Sequence, residues 1–434
     1  MTEVHVIGAG LAGLSAAVRL SAAGHKVHVY EAAPRAGGRC RSFHDAKLDC
    51  VIDNGNHLLM SANRAALSYL AEIGASDRLE GPRDAAYPFI DLASGERWTV
   101  RLDEGRFQRW IFDPARRIPG THAMDYFSVL RLLLAGREAR LGDLLDRESV
   151  LYRRFWEPLI LAALNTAPEQ AAASLLRPVL LESFARGAAF SKPLIAKENL
   201  DDTLVAPALA RLEERGAALR FGCRIDRILF EADHATALVT GEERITLARD
   251  AQVLLAVPPF IAATLLPGLS TPEPGEAIVN VHFRLPAPLS DSIRIFGVIG
   301  GICHWIFLRR DVVSATISAA DHVAKLAADE IAATVWGEIA RTLDISQMAM
   351  PPVRVIKEKR ATFSATPESQ ARRPGARTSC ANLFLAGDWT ATGLPATIEG
   401  AIRSGQHAAA LIAQRTDSDN RTEDNRNEME TTPT

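Results

Sequence analysis

Gly8, Gly10 and Gly13 stand in Gly8-Ala9-Gly10-Leu11-Ala12-Gly13, between the apolar run Val4 to Ile7 and the small-residue run Leu14 to Ala23. A glycine turn between strand and helix can cradle a pyrophosphate. The first glycine permits the tight bend, the second lets backbone come close to the phosphates, and the third allows the helix to pack on the strand. Amides opening the helix, those of Leu11 and Ala12 among them, then meet the negative charge. Glu31 lies 18 residues beyond Gly13, closing a second short strand from Val27 to Tyr30. Its carboxylate, with Ala32 beside it, is placed to accept hydrogen bonds from the hydroxyls of an adenosine ribose. The glycine pattern alone is weak, since an ordinary strand-turn-helix with a surface glutamate explains the same residues. Its βαβ context over residues 4 to 31 turns it into an expected dinucleotide site.

FAD and NAD both satisfy that fingerprint, and residues further along separate them. Gly37-Gly38-Arg39 would set backbone and guanidinium against a second stretch of diphosphate or the edge of an isoalloxazine ring. A surface turn with solvated arginines is the plainer alternative. Late in the chain, the apolar run Leu383 to Ala386 ends in Gly387-Asp388, followed by a second glycine turn and a helix. Asp388 can bond a ribityl chain or a phosphate-bound water, while Pro395, Thr397 and Ile398 open a helix whose amides would face the pyrimidine end of a flavin. A nicotinamide enzyme needs no such late cofactor strand, whereas a flavin must have its ring held apart from its adenine. The expected cofactor is therefore FAD, bound non-covalently. Ile225 in the strand-like segment 219 to 230, and Val257 before Pro258 and Pro259, are expected beside it, although plain sheet core explains them nearly as well.

The rest of the chain sets bounds on that reading. Its 434 residues suffice for two or three domains, and 47% hydrophobic with 23% charged residues is a globular balance. A formal net charge of -3 gives no electrostatic motive for nucleic-acid binding. Cys40, Cys50, Cys223, Cys303 and Cys380 are dispersed, without CxxC spacing, so neither a disulfide framework nor a metal site is expected. The opening MTEVHVIGAG reads as a first strand and not an export signal, and no run of about 18 uncharged apolar residues predicts a membrane span. Hairpin character at 85 to 103, apolar helices between Met124 and Phe190, further strands over 276 to 320 and a helix from Asp321 to Leu343 follow in order. Beyond Arg415 the composition is polar throughout and predicts disorder.

Three stretches carry a family resemblance: GAGLAGLSAAVRL at the start, the GGR turn, and LAGDWTATGLPATIEGAIRSG near the close. Together they resemble the flavin amine oxidase and phytoene desaturase superfamily over nearly the whole chain. Within it, Asp53-Asn54-Gly55-Asn56-His57-Leu58-Leu59, Phe155-Trp156-Glu157-Pro158-Leu159 and Ala162-Ala163-Leu164-Asn165-Thr166 resemble the hydroxysqualene dehydroxylases. Asn56 departs from the glutamine expected there but keeps the amide. The resemblance implies an α/β fold: a Rossmann-type FAD-binding domain of the glutathione-reductase-like, amine oxidase type, with an interleaved α+β substrate domain and a helical membrane-proximal region. The expected division assigns 1–80, 200–260 and 376–415 to FAD, 81–199 and 261–375 to substrate with helices near 124–190, and 416–434 to a disordered tail. Asn54, Gly55, Asn56 and His57 are expected to join the cofactor contacts.

The implied activity is reductive dehydroxylation of hydroxysqualene to squalene in hopanoid biosynthesis, with a phytoene-type desaturase as the alternative and a non-catalytic flavin-binding partner of an isoprenoid synthase as a reading of another class. Hydride must reach the allylic carbon that loses its oxygen, and the departing hydroxyl needs a proton or a hydrogen-bond donor. His57, Asp53 and His304 are the candidates, each of which could equally serve structure. Trp156, Leu159, Phe184, Phe190 and Phe307 are candidate walls of an apolar tunnel. A long-chain isoprenoid must be drawn from a bilayer, so a cytoplasmic location at the inner membrane is expected. The apolar mouth is placed at 124 to 164, near Arg131, Arg137 and Arg140. Transient contact with squalene-pathway synthases fits this setting; no residue indicates the electron donor.

Overall fold

Strands Glu3–Ile7 and Lys26–Glu31 flank the helix Leu11–Ala22, and all their backbone pairing is parallel. The computed structural model describes residues 2–430 and the side chains of 2–415. Around the first strand a five-stranded parallel sheet forms in the order Ala218–Phe221, Lys26–Glu31, Glu3–Ile7, Gln252–Leu255, Leu383–Leu385. Its central strands are apolar and buried on both faces, as helix-covered parallel sheets must be: Val4, Val6, Val253, Leu254 and Leu255 are all without exposure. The last helix, Ile398–Glu430, lies against the first. A methyl group on Gly405 would run into the Ala12 carbonyl oxygen, and Ser15 Oγ donates to the carbonyls of Ala12 and Ile402 at 3.1 and 3.2 Å. Small residues on both helices thus carry the end of the chain onto its beginning.

A seven-stranded mixed sheet forms the second layer system, in the order Val353–Glu358, Ile278–Arg284, Val312–Ile317, Trp305–Arg309, Arg294–Ile299, Ala86–Asp91, Arg97–Arg101. Helix Ala328–Thr342 covers its apolar face through Ile331, Val335 and Ile339, while Val279, Val281 and Phe283 answer from the sheet. The opposite face carries Asn280 and His282 in strand Ile278–Arg284, the alternate positions of a period-two pattern. The expected helix from Asp321 starts later, at Ala328, after a short 3-10 turn.

Short helices fill 109 to 190, and two five-residue stretches, Tyr152–Trp156 and Asp201–Val205, are wound as π-helix. Their expected apolar side is realised: Trp156, Ile160 and Leu164 are buried. The final helix continues to Glu430 through the segment whose composition predicts disorder, because elongating a helix already nucleated costs little even for polar residues. Residues 431–434 of that expected tail lie outside the described residues. Among the described residues, no helix is long and apolar enough to cross a membrane, and no group of three or more potential ligands could hold a metal.

Candidate functional site

The amino-terminal turn and the GGR turn form one structure. Gly37 N donates to Ala9 O at 2.8 Å, Gly10 and Gly37 pair as an isolated bridge, and a Cβ on Gly38 would stand 3.4 Å from Gly10 Cα. Gly8, at φ +105°, backs onto the Ala256 carbonyl and Val257, and a methyl on Gly13 would run into the Gly8 carbonyl oxygen. Gly10 differs: a Cβ there would meet nothing within 4 Å, and no side chain caps the helix that begins at Leu11. Free amides beside open backbone are what an anionic diphosphate requires. Glu31 Oε2 accepts from Ala9 N and Oε1 from Ala33 N, both at 2.8 Å, so the carboxylate is already aimed at the turn and keeps a lone pair on each oxygen for ribose hydroxyls. Ala32 is exposed beside it, and the Gly222 and Cys223 amides donate to the Ala33 and Glu31 carbonyls, setting buried Ile225 nearby.

The carboxy-terminal residues reach the same place. Arg39 Nη2 donates to Asp388 Oδ1 at 2.6 Å across 349 positions of sequence, and Arg39 Nη1 donates to Ala361 O at 2.6 Å. Both residues were expected to reach the cofactor separately; the fold makes them a pair, and Asp388 holds the guanidinium more firmly protonated. Gly387 N donates to Ser404 Oγ at 2.8 Å and Trp389 Nε1 to Val257 O at 2.9 Å, which fastens this loop to the last helix and to the crossover after the central strand. Thr397 caps that helix by accepting from Gly400 N at 3.0 Å, with its own hydroxyl near the Pro395 carbonyl. Ile398 is packed in the core with Ile402.

Arg373, which sequence reasoning passed over, organises the loop. Only 6% exposed, its guanidinium donates to the carbonyls of Asp388 and Leu394 at 2.9 Å, of Trp389 at 3.3 Å and of Thr390, and to Thr392 Oγ1 at 2.9 Å. Burial pushes its pKa down to about 10, against the pull of Asp388, so it stays charged at neutral pH. No local motif marks such an arginine, since its partners are carbonyl oxygens 15 to 21 positions later.

The segment 53 to 57 lies on the polar face of the mixed sheet. Asn56 Nδ2 donates to Thr316 Oγ1 at 3.0 Å, Thr316 Oγ1 to Asn280 Oδ1 at 2.9 Å, and Asn54 Nδ2 to Glu358 Oε2 at 3.3 Å. Gly55 packs closely here, since a Cβ would come within 2.9 Å of Asn280 Nδ2 and push that amide aside. Asp53 is 3% exposed and fully engaged: Ser42 Oγ and Leu200 N donate to one oxygen at 2.7 and 2.9 Å, and Arg309 to the other at 3.0 Å. It ties three segments together and has no face left for substrate. His304 accepts from Ser318 N through Nδ1 at 3.0 Å, and burial with nearby His322 lowers its pKa to about 4. His57 is the exception among the three: its ring lies deep yet is only partly covered, and among the described residues nothing hydrogen-bonds its nitrogens. Burial lowers its pKa, Asp53 opposes the shift and Arg39 adds to it, leaving a neutral imidazole with one N–H to give.

Of the expected apolar walls, Phe184 meets Tyr87 and Phe155 at 6.1 and 6.4 Å, and Phe307 packs with Leu58, Ile195 and Ile295. Trp156 is core, its indole N–H donating to Ser128 Oγ at 3.2 Å, and Phe190 sits beneath Arg186 instead. The polar partners Asn280, His282 and Thr316 were missed, although IVNVHFR shows polar residues at alternate positions.

A model of the family described as flavin containing amine oxidoreductase matches residues 11–413. The chain belongs to that family. It is similar to hydroxysqualene dehydroxylase of Sinorhizobium fredii, 45% identical over 95% of this chain and 99% of the relative. The hydroxysqualene dehydroxylase of Rhodopseudomonas palustris is 46% identical over 94% and 98%. Among solved structures, cyclohexylamine oxidase of Brevibacterium oxydans shares the fold at a TM-score of 0.70 and 15% identity, covering 96% of this chain and 99% of that one. As a member of that family, the chain is an FAD-dependent oxidoreductase. The open backbone at Gly10, the uncapped helix and the Arg39–Asp388 pair fit that cofactor.

Buried neutral histidines give the family scaffold here an acid limit. His282, hydrogen-bonded to Ser314 Oγ at 2.7 Å, and His5, stacked on His28 at 5.0 Å, both have pKa values lowered by burial to about 4. Unfolded histidine titrates near ~6.5, so the unfolded chain binds more protons between these values, and stability falls as pH drops from about 6.5 towards 4. Each contributes a slope of at most about 1.4 kcal/mol per pH unit. Thermal midpoints measured from pH 8 down to 4.5 are expected to hold above 6.5 and decline below it; a flat profile would contradict this placement.

Proposed function

We propose that the protein carries out reductive dehydroxylation of hydroxysqualene to squalene. The observation that carries this reading is the 45% identity to a hydroxysqualene dehydroxylase across nearly the full length of both chains. When bound, reduced FAD supplies the hydride for the allylic carbon, and the carbon–oxygen bond breaks with release of water once the departing hydroxyl takes a proton. The chain's own residues divide the remaining work. The turns at Gly8 to Gly13 and Gly37 to Arg39, with Glu31, would hold the adenosine and diphosphate, and residues 387 to 398 the ring end. His57 would donate a hydrogen bond from its neutral imidazole to the departing hydroxyl, a role supported by its free N–H while Asp53 and His304 are committed to the scaffold. Tyr87, Phe155 and Phe184 would exclude water from the allylic centre. The parallel-sheet region would be the cofactor domain, and the mixed sheet with its helices the substrate domain.

Such a substrate resides in a bilayer, and we infer peripheral association with the cytoplasmic face of the inner membrane. Anaerobic incubation of reduced, FAD-loaded protein with hydroxysqualene is expected to yield squalene; turnover of phytoene with hydroxysqualene untouched would overturn the reading. For His57→Ala, a fall in turnover of roughly 10²–10³-fold is expected with FAD retained. Unchanged turnover would remove His57 from the chemistry.

A further inference from the structure

Six of the fifteen exposed large apolar side chains among the described residues lie between positions 107 and 134: Phe107, Phe112, Met124, Phe127, Leu130 and Leu134. Three are far more open than a surface residue needs to be, at 70% for Phe107, 73% for Met124 and 85% for Leu134. Phe107 lies just before the first of three elements that bear the other five, the 3-10 turns Arg109–Phe112 and Ala123–Phe127 and the helix Ser128–Leu134, and these are anchored from beneath. Trp110 meets Tyr126 edge-on at 5.2 Å, Tyr126 Oη accepts from Ile118 N at 3.2 Å, Leu132 is wholly buried, and Arg177 donates to the Ala135 carbonyl. Since these inward residues fix the backbone, the outward ones cannot retreat into the core. Phe107 and Phe112 stack on each other at 6.1 Å and still protrude.

The charge around this face is predominantly positive. Residues 106 to 138 hold six arginines against Asp113, Asp125 and Glu138, a local charge of +3 in a chain of net charge -3. Arg106, Arg109, Arg131 and Arg137 are exposed, and among the described residues they enter no ion pair. Asp125 is already spent on the backbone amide of His122 at 2.7 Å. The expected mouth at 124 to 164 needs correction: its second half, with Leu151, Trp156, Ile160 and Leu164 buried, faces inward, and the exposed part begins earlier, at Phe107.

We propose that this face docks the protein on a bilayer rich in anionic lipid, its apolar side chains entering the acyl boundary and its unpaired arginines meeting the phosphates. The inference rests on the reading that the substrate is an isoprenoid held in the bilayer. Docking then places the helical region over the source of substrate, so that transfer need not pass through water.

Sedimentation of FAD-loaded protein with phosphatidylcholine vesicles, with and without phosphatidylglycerol, tests it. Binding is expected chiefly to the anionic vesicles and to weaken with salt. The triple variant Phe107→Ser, Met124→Ser, Leu134→Ser is expected to lower the partition coefficient by about tenfold or more. Exchanging Arg106, Arg109, Arg131 and Arg137 for glutamine is expected to abolish the preference for phosphatidylglycerol. Retained flavin absorbance shows that each variant is folded. Wild-type protein that ignores both vesicles, or a triple variant that binds as before, overturns the proposal. So does a solution dimer that the triple variant dissolves without any vesicle binding, which would assign the face to a second copy. Conversion of hydroxysqualene in detergent is read separately: its absence sinks the functional reading and leaves the vesicle result to judge this one.

Discussion

Arg373→Met is expected to leave the protein unable to retain FAD and to lower its thermal midpoint by more than any other single substitution discussed here. The methionine fills much of the space but offers no donor to the carbonyls of Asp388, Trp389, Thr390 and Leu394. Each buried carbonyl left without a partner costs about 1–3 kcal/mol, and several at once place the variant in the rare class above about 4 kcal/mol. The loop they belong to connects Gly387-Asp388 to the last helix, so its release also frees Asp388 from Arg39. Arg373→Lys is expected to lie between the two, because an ammonium supplies at most three donors where the guanidinium makes more contacts. Flavin-to-protein absorbance ratio and thermal unfolding, measured on both variants, check this. Full FAD content in Arg373→Met would show that the loop is set by other contacts.

Gly10→Ala and Gly13→Ala separate cofactor binding from folding. At Gly10 the backbone has ordinary φ of -74°, and an added methyl meets no protein atom within 4 Å, so the stability of flavin-free protein is expected to change by less than about 0.5 kcal/mol. That methyl would occupy the ground where backbone must approach a diphosphate, and FAD affinity is expected to fall by about tenfold or more, some 1.4 kcal/mol. Gly13→Ala has the opposite signature. Its methyl would collide with the Gly8 carbonyl oxygen and lie 3.3 Å from Ala256 Cβ, forcing the first helix off the sheet before any cofactor arrives. Unfolding of the flavin-free forms and FAD titration distinguish the two; equal destabilisation by both substitutions would refute the assignment of Gly10 to the open side of the turn.

The two glycines also show where sequence reasoning ends. A tight bend, a close helix crossing and an exposed helix terminus are demands made within about thirty residues, so residue types at 8, 10, 13 and 31 suffice to state them. The same is true of the hairpin over 85 to 103, realised as strands Ala86–Asp91 and Arg97–Arg101. Arg39 and Asp388 were each legible as polar groups next to glycine turns, but not as partners, because pairing depends on two helices meeting through Gly405 and Ser15. Asp53 and His57 looked alike as candidates, and only the packing of Arg309, Ser42 and the Leu200 amide around one of them told them apart.

Local order was thus determined by the chain's own spacing: the strand-turn-helix that opens it, the glycine turns early and late, and the alternation that makes its strands. Tertiary structure decided what those elements present to one another. It chose which histidine keeps a free N–H, which arginine is buried among carbonyls, and which apolar residues face outward at 107 to 134 and not at 151 to 164. The physical reason is that backbone conformation answers to neighbours in sequence, whereas burial and the matching of donors to acceptors answer to neighbours in space, which lie hundreds of residues apart along this chain.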